Sequence, residues 1–523
     1  MPDRDVPGPE DDLFPDPPPP VGFWRRRWVW LRDHRRLVAV VTVAVVAAAV
    51  VTAVFWPDNA CGGSDSGVRK LDGECAGVTD GTYVYHESLA DVQRKIAAEN
   101  ASVSGTGRTV TIALLDPLTV NETSAVTLDQ VRTELEGAYT AQYRVNHTAA
   151  VGDQRPLVKL VLANWGSHEL RWQTVVEQLE GMVHDPEPLV AVVGLRLSTV
   201  QTEQAAKHLA QHDIPMVSAI ATADQLNYGA IRGFLRASPA NAEYVAALQG
   251  YLRHHPGLDS AMMVYDANSD VNPDPGTTSG ADLFTRSLRD DFAAGFGNLI
   301  RYPAQNYVGM SGPTAASPDL FTNITTNVCA VKPKAVLYAG RVVDFPSFLQ
   351  SLRNRVCPDS PVTAIVAGAD FGSLQLRAKE AELREKNISI VYATETDPQG
   401  WAQGAPGTPR FFKDFHDQFG RLGFAPADLD DGGAISTHDA LLIAAKAARL
   451  STRSHPDHAV PSHSDVLNQM LNLNSLDEVP GASGQLSFSY RAAESGNPSN
   501  KPIPVIEVPS AAAAQTAEVY HTK

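Results

Sequence analysis

The sequence predicts an α/β protein in which two doubly wound parallel-sheet lobes are joined by a hinge and preceded by one transmembrane helix. From Arg108 onward, short apolar runs rich in β-branched residues alternate with helix-forming stretches, which is typical of parallel sheets. Nine such runs are many for one sheet with an ordinary core, so two lobes account for them more simply. The predicted strands are 110–115, 157–163, 189–193, 215–220, 260–265, 299–302, 335–339, 362–367 and 388–392.

The amino-terminal segment predicts where the protein resides. Residues 37–56, LVAVVTVAVVAAAVVTAVFW, carry no charge and are long enough to cross a bilayer as a helix. Six arginines lie between positions 25 and 36, and the positive-inside rule keeps that end in the cytoplasm. Residues 1–36, which begin with an acidic, Pro-rich stretch, are therefore expected to form a disordered cytoplasmic tail. We expect a single-pass protein of the cell membrane with an extracytoplasmic main domain.

Other interpretations of the apolar segment fit less well. A cleaved signal peptide needs small residues before its cleavage site, but Asp58 and Asn59 stand close to Cys61. A lipoprotein needs an apolar residue three positions before its cysteine, where this chain has Asp58. A twin-arginine export signal fits the residues after the arginines poorly. An uncleaved anchor is the favoured interpretation.

The composition limits the classes of function. The chain has 59 acidic and 43 basic residues and no basic stripe beyond the first forty positions, so nucleic acid is not an expected partner. We recognise no Gly-x-Ser-x-Gly motif, no metal-binding histidine pair and no phosphate loop, so no metal, no cofactor and no enzymatic activity is expected. His438 and Asp439 adjoin at a predicted helix start, where neighbouring side chains face different ways, which disfavours a catalytic triad.

The four cysteines predict two disulfides. Cys61 and Cys75 close a short loop, and the oxidising exterior favours a bond over a metal site. Cys329 and Cys357 each end a helix that precedes a strand, so in a parallel sheet both lie at the amino edge of adjacent strands. We therefore expect Cys61–Cys75 and Cys329–Cys357. Residues 57–107 are expected to be an extracytoplasmic linker that holds the first loop and one amphipathic helix.

The loop Gly-Leu-Arg-Leu-Ser-Thr, residues 194–199, follows a buried strand and precedes a helix. A loop in this position lies at the carboxyl edge of the sheet, where open α/β sheets bind ligands, and a helix N-terminus suits an anion. Ser198 or Thr199 would equally serve as an ordinary N-cap. Both interpretations of the loop stay open at this stage.

A series of segments between residues 109 and 508 resembles the type I periplasmic solute-binding proteins of the branched-chain amino acid class. TVTIALLDPLTV is similar to their first strand and its loop, ELEGAYTAQYRVN to their first helix, and FLRASPANAEYVAAL to the first crossing between lobes. THDALLIAAKAA resembles a late first-lobe helix, and GASGQLSFSY a closing hairpin. The resemblance implies a bilobed domain over 108–510, with lobe 1 at 108–237 and 394–474, lobe 2 at 238–393 and 475–510, and a flexible tail at 511–523.

The resemblance also implies a ligand site. In amino acid binders of this class, hydroxyl and backbone N–H groups in the loops after the third and fourth strands hold the ligand carboxylate. The matching residues here are Ser198, Thr199, Ala219, Ala221 and Thr222. Asp266 follows a second-lobe strand and is a further ligand candidate, although the aromatic residue usual in that loop is absent. Arg196 stands where the family has small residues, and it would either pair with an acidic ligand or point to solvent.

These implications define the expected function. The chain would be a membrane-anchored extracytoplasmic protein that closes on a small polar solute such as an amino acid and delivers it to the permease of an ABC transporter. The alternative is a sensory or scaffold receptor domain on the same fold that is not coupled to transport. The uncleaved anchor and the cytoplasmic tail slightly favour that alternative.

Overall fold

The computed structural model describes residues 61–62, 67–152, 154–270, 282–310, 320–453, 460–488, 496–510 and 517–523, with the backbone alone at 369, 370 and 373. Residues 60–523 belong to one compact unit. Within the part of the chain that the structure describes, no helix combines the length and the hydrophobicity needed to cross a membrane. The predicted anchor at 37–56 and the tail at 1–36 lie outside that part.

Strands and helices alternate through most of the described chain, as the sequence predicts. The strands are β1 (Val68–Leu71), β2 (Glu74–Thr79), β3 (Thr109–Asp116), β4 (Leu157–Asn164), β5 (Leu189–Gly194), β6 (Met216–Ser218), β7 (Phe234–Arg236), β8 (Ala261–Asp266), β9 (Gln305–Tyr307), β10 (Ala335–Ala339), β11 (Val362–Ala367), β12 (Ile388–Ala393), β13 (Val479–Gly481), β14 (Gly484–Leu486), β15 (Pro502–Val508) and β16 (Glu518–His521). The helices are α1 (Ala90–Val103), α2 (Leu128–His147), α3 (Trp172–Gly181), α4 (Val200–Gln211), α5 (Asn241–His254), α6 (Leu283–Phe296), α7 (Thr322–Val331), α8 (Phe345–Arg353), α9 (Glu380–Glu385), α10 (Pro398–Ala402), α11 (Phe412–Arg421), α12 (Gly433–Arg453) and α13 (His463–Gln469).

Two seven-stranded sheets form the two lobes. The first sheet has the order β1-β2-β4-β3-β5-β6-β7, and its strands from β4 to β7 are parallel. The second has the order β16-β15-β12-β11-β10-β8-β9, and its strands from β12 to β9 are parallel. Every residue of β3 and β5 is buried, as expected of strands covered on both faces. The predicted two-lobe α/β architecture is confirmed.

Each sheet carries an apolar core on both of its faces. In the first lobe, α2 and α12 pack against each other so closely that a Cβ on Gly137 would lie 2.0 Å from the carbonyl oxygen of Ala434. Gly137 therefore permits this helix pair, because no larger residue fits between the two backbones. Leu89, Val92 and Ile96 belong to the same core, so α1 packs on the lobe as its amphipathic pattern predicts.

Both predicted disulfides are confirmed. Cys61 bonds Cys75, which lies on β2, with their Cα atoms 5.4 Å apart. Cys329 in α7 bonds Cys357, which follows α8, with a Cα separation of 5.5 Å.

The differences from the sequence analysis lie at the edges of the lobes. Part of the expected linker, residues 68–79, forms the antiparallel edge strands β1 and β2 of the first sheet. The expected tail contributes β16, which pairs with β15 at the edge of the second sheet. The β13–β14 hairpin lies in the first-lobe core through Val479 and Leu486, although the sequence boundaries assign 475–510 to lobe 2. A strand forms at 305–307 rather than at 299–302.

Candidate functional site

The cleft between the lobes contains a cavity of about 40 Å³ at the carboxyl edges of both sheets. Such a volume has room for only a few water molecules, since a single water needs at least about 10–15 Å³. First-lobe residues that line it come from the loops after β5 and β6 and from the segment before α2. The lining residues are Ala125, Arg196, Leu197, Ser198, Ile220, Thr222, Phe284, Arg341, Val342, Gly368 and Phe371.

The loop after β5 combines a helix cap with a contact between the lobes. The Thr199 hydroxyl accepts a hydrogen bond from the Thr202 amide at 3.1 Å, so Thr199 is the N-cap of α4. The Ser198 hydroxyl accepts from the Ala223 amide at 3.1 Å, which ties the loop to the one after β6. The Ser198 carbonyl accepts from the amides of Leu283 and Phe284 in the second lobe, at 3.0 and 3.1 Å. The cap interpretation therefore applies to Thr199, while Ser198 lines the cavity.

In the loop after β6, the amides of the two predicted alanines are already bonded within the protein. The Ala219 amide donates to the Gly194 carbonyl at 2.8 Å. The Ala221 amide donates to the Ser218 hydroxyl, also at 2.8 Å. Of the predicted residues in this loop, only Thr222 lines the cavity. An anion in the cavity would therefore meet Thr222 before it met either of the alanine amides.

Arg341 supplies a cation on the second-lobe side of the cavity. Its Nε and Nη2 donate to the two carboxylate oxygens of Asp282 at 2.6 and 3.1 Å. Its guanidinium carbon lies 5.4 Å from the ring centroid of Phe284, within the range of a cation–π contact. Burial lowers the pKa of Arg341, but the attraction of Asp282 outweighs it and raises this pKa above its ordinary value. Arg341 is thus a fixed cation facing the cavity.

Buried acids surround the loop after β5. Glu169 accepts hydrogen bonds from the hydroxyls of Thr199 and Thr202, and its burial raises its pKa to about 8. Asp116 accepts from the Arg196 amide at 2.8 Å, and burial raises the pKa of Asp116 above its ordinary range. The Arg196 side chain forms a buried ion pair with Glu134. Arg196 therefore does not point to solvent, because it is buried beside Glu134, and it still lines the cavity.

Asp266 lies at the end of β8 but does not line the cavity. Its carboxylate accepts from the amides of Asn268 and Gly309 at 2.9 and 3.0 Å, which fixes two loops at the sheet edge. Asp344 lies nearby, and burial, with the charge of Asp266, raises the pKa of Asp344 to about 7.

His438 and Asp439 belong to a fully buried polar network. His438 Nδ1 lies 2.8 Å from the Asp439 carboxylate, which also accepts from the Ser483 hydroxyl at 2.6 Å. Lys501 donates to Ser483, and Arg144 contacts the other nitrogen of His438 at 2.7 Å. Burial lowers the pKa of His438 to about 4. Since these side chains are 0% exposed apart from Arg144 at 7%, no substrate reaches them in this conformation. The network connects α12 to the β13–β14 hairpin.

The sequence analysis missed the second-lobe residues of the cavity. Arg341, Phe284 and Phe371 line it, but none of them belongs to a motif of the family that the chain resembles. The signal for Arg341 is present in the sequence, because it comes two residues after β10, at the carboxyl edge where ligands bind.

Comparison with known proteins identifies the fold. No protein-family model and no curated protein matches the chain. The leucine-binding protein LivK of Thermotoga maritima is 14% identical over 79% of this chain and 98% of its own, with a TM-score of 0.53. LivJ of Streptococcus pneumoniae, solved with isoleucine, is 15% identical over 79% and 100%, with a TM-score of 0.53. A solute-binding protein of Rhodopseudomonas palustris HaA2, solved with p-hydroxybenzoic acid, is 11% identical over 79% and 98%, with a TM-score of 0.55. The chain has the type I periplasmic binding protein fold.

Proposed function

We propose that this chain is a membrane-anchored extracytoplasmic solute-binding protein whose lobes close on a small carboxylate, and that it performs no catalysis. One observation carries the proposal: the cavity at the facing sheet edges has hydroxyl residues, Ser198 and Thr222, on one wall and Arg341 on the other. Hydroxyl and guanidinium groups are suitable donors for a carboxylate, and the guanidinium provides charge-assisted hydrogen bonds.

The rest of the cavity favours a solute with an apolar part. Phe284, Phe371, Leu197 and Ile220 supply apolar surface around the polar groups, which is the usual composition of a small-molecule site. One of the three similar structures is named as a leucine-binding protein, and the other two were solved with isoleucine and with p-hydroxybenzoic acid. All three of these small molecules combine a carboxylate with an apolar group. An amino acid or an aromatic acid is therefore the solute class we propose. Ser198 and Thr222 would contact its carboxylate, with Thr199, Ala219, Ala221 and Asp266 as the surrounding structure.

Binding requires the lobes to open. Small-molecule pockets usually measure about 300–1,000 Å³, and the cavity of about 40 Å³ holds no such solute. Opening would break the bonds from the Leu283 and Phe284 amides to the Ser198 carbonyl. A solute that bridges Ser198 and Arg341 would favour re-closure by its higher affinity for the closed state. Delivery to an ABC permease would be the output of that closure.

A second candidate function is a sensory or scaffold domain that is not coupled to transport. The observation that favours it is the direct bonding between the lobes at the place where a solute would bridge them. Besides the Ser198 contacts, the Ser287 hydroxyl donates to the Asp224 carboxylate at 2.6 Å and accepts from the Asp224 amide at 3.2 Å. These contacts would hold the lobes closed without a solute.

Thermal unfolding of the full chain in detergent, with a panel of amino acids and hydroxybenzoic acids, separates the two candidates. A cognate solute at about a hundred times its Kd should stabilise the protein by roughly 2.7 kcal/mol. Ser198→Ala with Thr222→Ala should remove most of that response, while the control pair Ser102→Ala with Thr326→Ala, on helices remote from the cavity, should retain it. A panel that leaves the melting temperature unchanged would contradict solute binding and support the scaffold role.

A further inference from the structure

A glutamate and two histidines converge at one end of the first lobe, outside the cleft. Glu180 lies in the last turn of α3, His208 in the last turn of α4, and His212 directly after α4. His208 Nε2 and His212 Nδ1 lie 3.0 and 3.1 Å from the same Glu180 oxygen, Oε1. All three ligand atoms lie within 4.8 Å of one another.

Local structure explains why these side chains meet. His208 and His212 are four residues apart, so a helical backbone presents both rings on one face. His208 also packs edge-on against Trp172, with ring centroids 6.0 Å apart, which restricts the orientation of its ring. The C-terminal ends of α3 and α4 both point to this place, and the negative ends of the two helix dipoles favour a cation.

Hydrogen bonding does not account for the convergence. Oε1 of Glu180 is buried, and among the described residues no donor forms a hydrogen bond of acceptable geometry with it, although two imidazole nitrogens are close. An ion between the three atoms would account for their arrangement. Ligands about 2.0–2.1 Å from a tetrahedral ion lie about 3.3 Å apart, so the observed 3.0 and 3.1 Å require only a small outward movement.

We propose that Glu180, His208 and His212 form a binding site for a divalent transition-metal ion, with Zn²⁺ as the expected occupant. Two imidazole nitrogens and one carboxylate oxygen suit Zn²⁺ or its first-row neighbours, whereas Mg²⁺ and Ca²⁺ prefer oxygen ligands. The two histidines are 37% and 45% exposed, so an ion reaches the site from solvent and water completes its coordination. The bound ion joins the ends of α3 and α4.

The site is independent of the proposed solute cleft. Thr199 caps the opposite end of α4, and twelve helical residues span about 18 Å. Loss of the metal site would therefore leave the solute proposal intact, and loss of solute binding would leave the metal site intact.

Zinc titration of the full chain, purified without a polyhistidine tag and stripped with a chelator, tests the site. We expect one Zn²⁺ per chain by calorimetry, and Co²⁺ in its place should give the visible absorption bands of a tetrahedral complex. His208→Ala, His212→Ala and Glu180→Gln should each weaken Zn²⁺ binding by about tenfold or more, because each removes one of three protein ligands.

A matched control removes a histidine that pairs with a glutamate but has no second histidine beside it. His147 Nε2 lies 3.0 Å from Glu99, so His147→Ala removes the same kind of pair and should leave Zn²⁺ binding unchanged. Zn²⁺ should raise the melting temperature of the parent chain and of His147→Ala, but not that of His208→Ala. The melting temperature of each variant in chelator, compared with that of the parent chain, separates a binding defect from a folding defect. His212→Gln replaces His212→Ala if the alanine variant fails to fold. Equal zinc affinity in the parent chain and the site variants, or no binding at all, would overturn the proposal.

Discussion

The buried ion pair Arg341–Asp282 gives the sharpest test of the cleft. Asp282 is fully buried and the Arg341 side chain is 10% exposed, with two hydrogen bonds of 2.6 and 3.1 Å between them. Asp282 also accepts from the Thr285 amide at 3.1 Å as the N-cap of α6. Asp282→Asn keeps a capping oxygen and removes the charge, whereas Arg341→Met keeps the aliphatic bulk and removes the cation.

The expected loss in the free energy of unfolding depends on which charge each substitution leaves without its partner. Either single substitution strands a buried charge, which typically costs about 3–5 kcal/mol of the free energy of unfolding. For Asp282→Asn we expect the lower end of that range, since the charge of Asp266 also attracts Arg341. The double variant leaves neither charge, so its loss should fall short of the sum of the single losses by about 2–3 kcal/mol.

Chemical denaturation of the parent chain, both single variants and the double variant measures this coupling. Single losses that add to within about 0.5 kcal/mol would refute the reasoning. Arg341 would then not be committed to Asp282, and its guanidinium would be available to a solute without competition. The same four proteins should be carried through the solute panel, because the double variant keeps Ser198 and Thr222 but lacks the cation.

The remaining predictions concern pH, the second disulfide and helix packing. Burial raises the pKa of Glu169 from 4.5 to about 8, so the folded protein keeps a proton that the unfolded chain releases. The free energy of unfolding should therefore fall as the pH rises from about 4.5 to about 8, and Glu169→Gln should flatten that slope in urea titrations at a series of pH values. Replacing Cys329 and Cys357 by serine should cost about 2–5 kcal/mol, measured by urea unfolding; an unchanged midpoint would count against the bond. Gly137→Ala should lower stability by about 1–3 kcal/mol or more, because its Cβ meets the Ala434 backbone, and an unchanged melting temperature would contradict that packing.

The long buried strands were predictable because burial on both faces requires a continuous run of apolar residues. β3 and β5 are such runs, and the helices between them show ordinary helical periodicity. The edge strands were missed because they lack a continuous apolar run. In β1 only Val68 is buried, and every residue of β16 is at least partly exposed. These two strands form by pairing with a neighbouring strand, and a pattern of four residues does not encode which neighbour that is.

The sequence by itself determined the parts of the site that follow from local order along the chain. Ser198 and Thr222 lie in the loops that follow parallel strands, and the carboxyl ends of such strands meet at one sheet edge. The Cys329–Cys357 disulfide was predictable for a similar reason, since helix ends before adjacent parallel strands share the opposite edge.

Only the tertiary structure decided which groups face these residues. Arg341 meets Asp282 across 59 positions of chain, and Glu180 meets the histidine pair of α4 from a different helix. The i,i+4 spacing of His208 and His212 is visible in the sequence, but a pair of imidazoles becomes a candidate metal site only when a carboxylate is held opposite it. The energies of such contacts depend on distance and burial, and both are set by how α3 packs on α4 and how one lobe closes on the other.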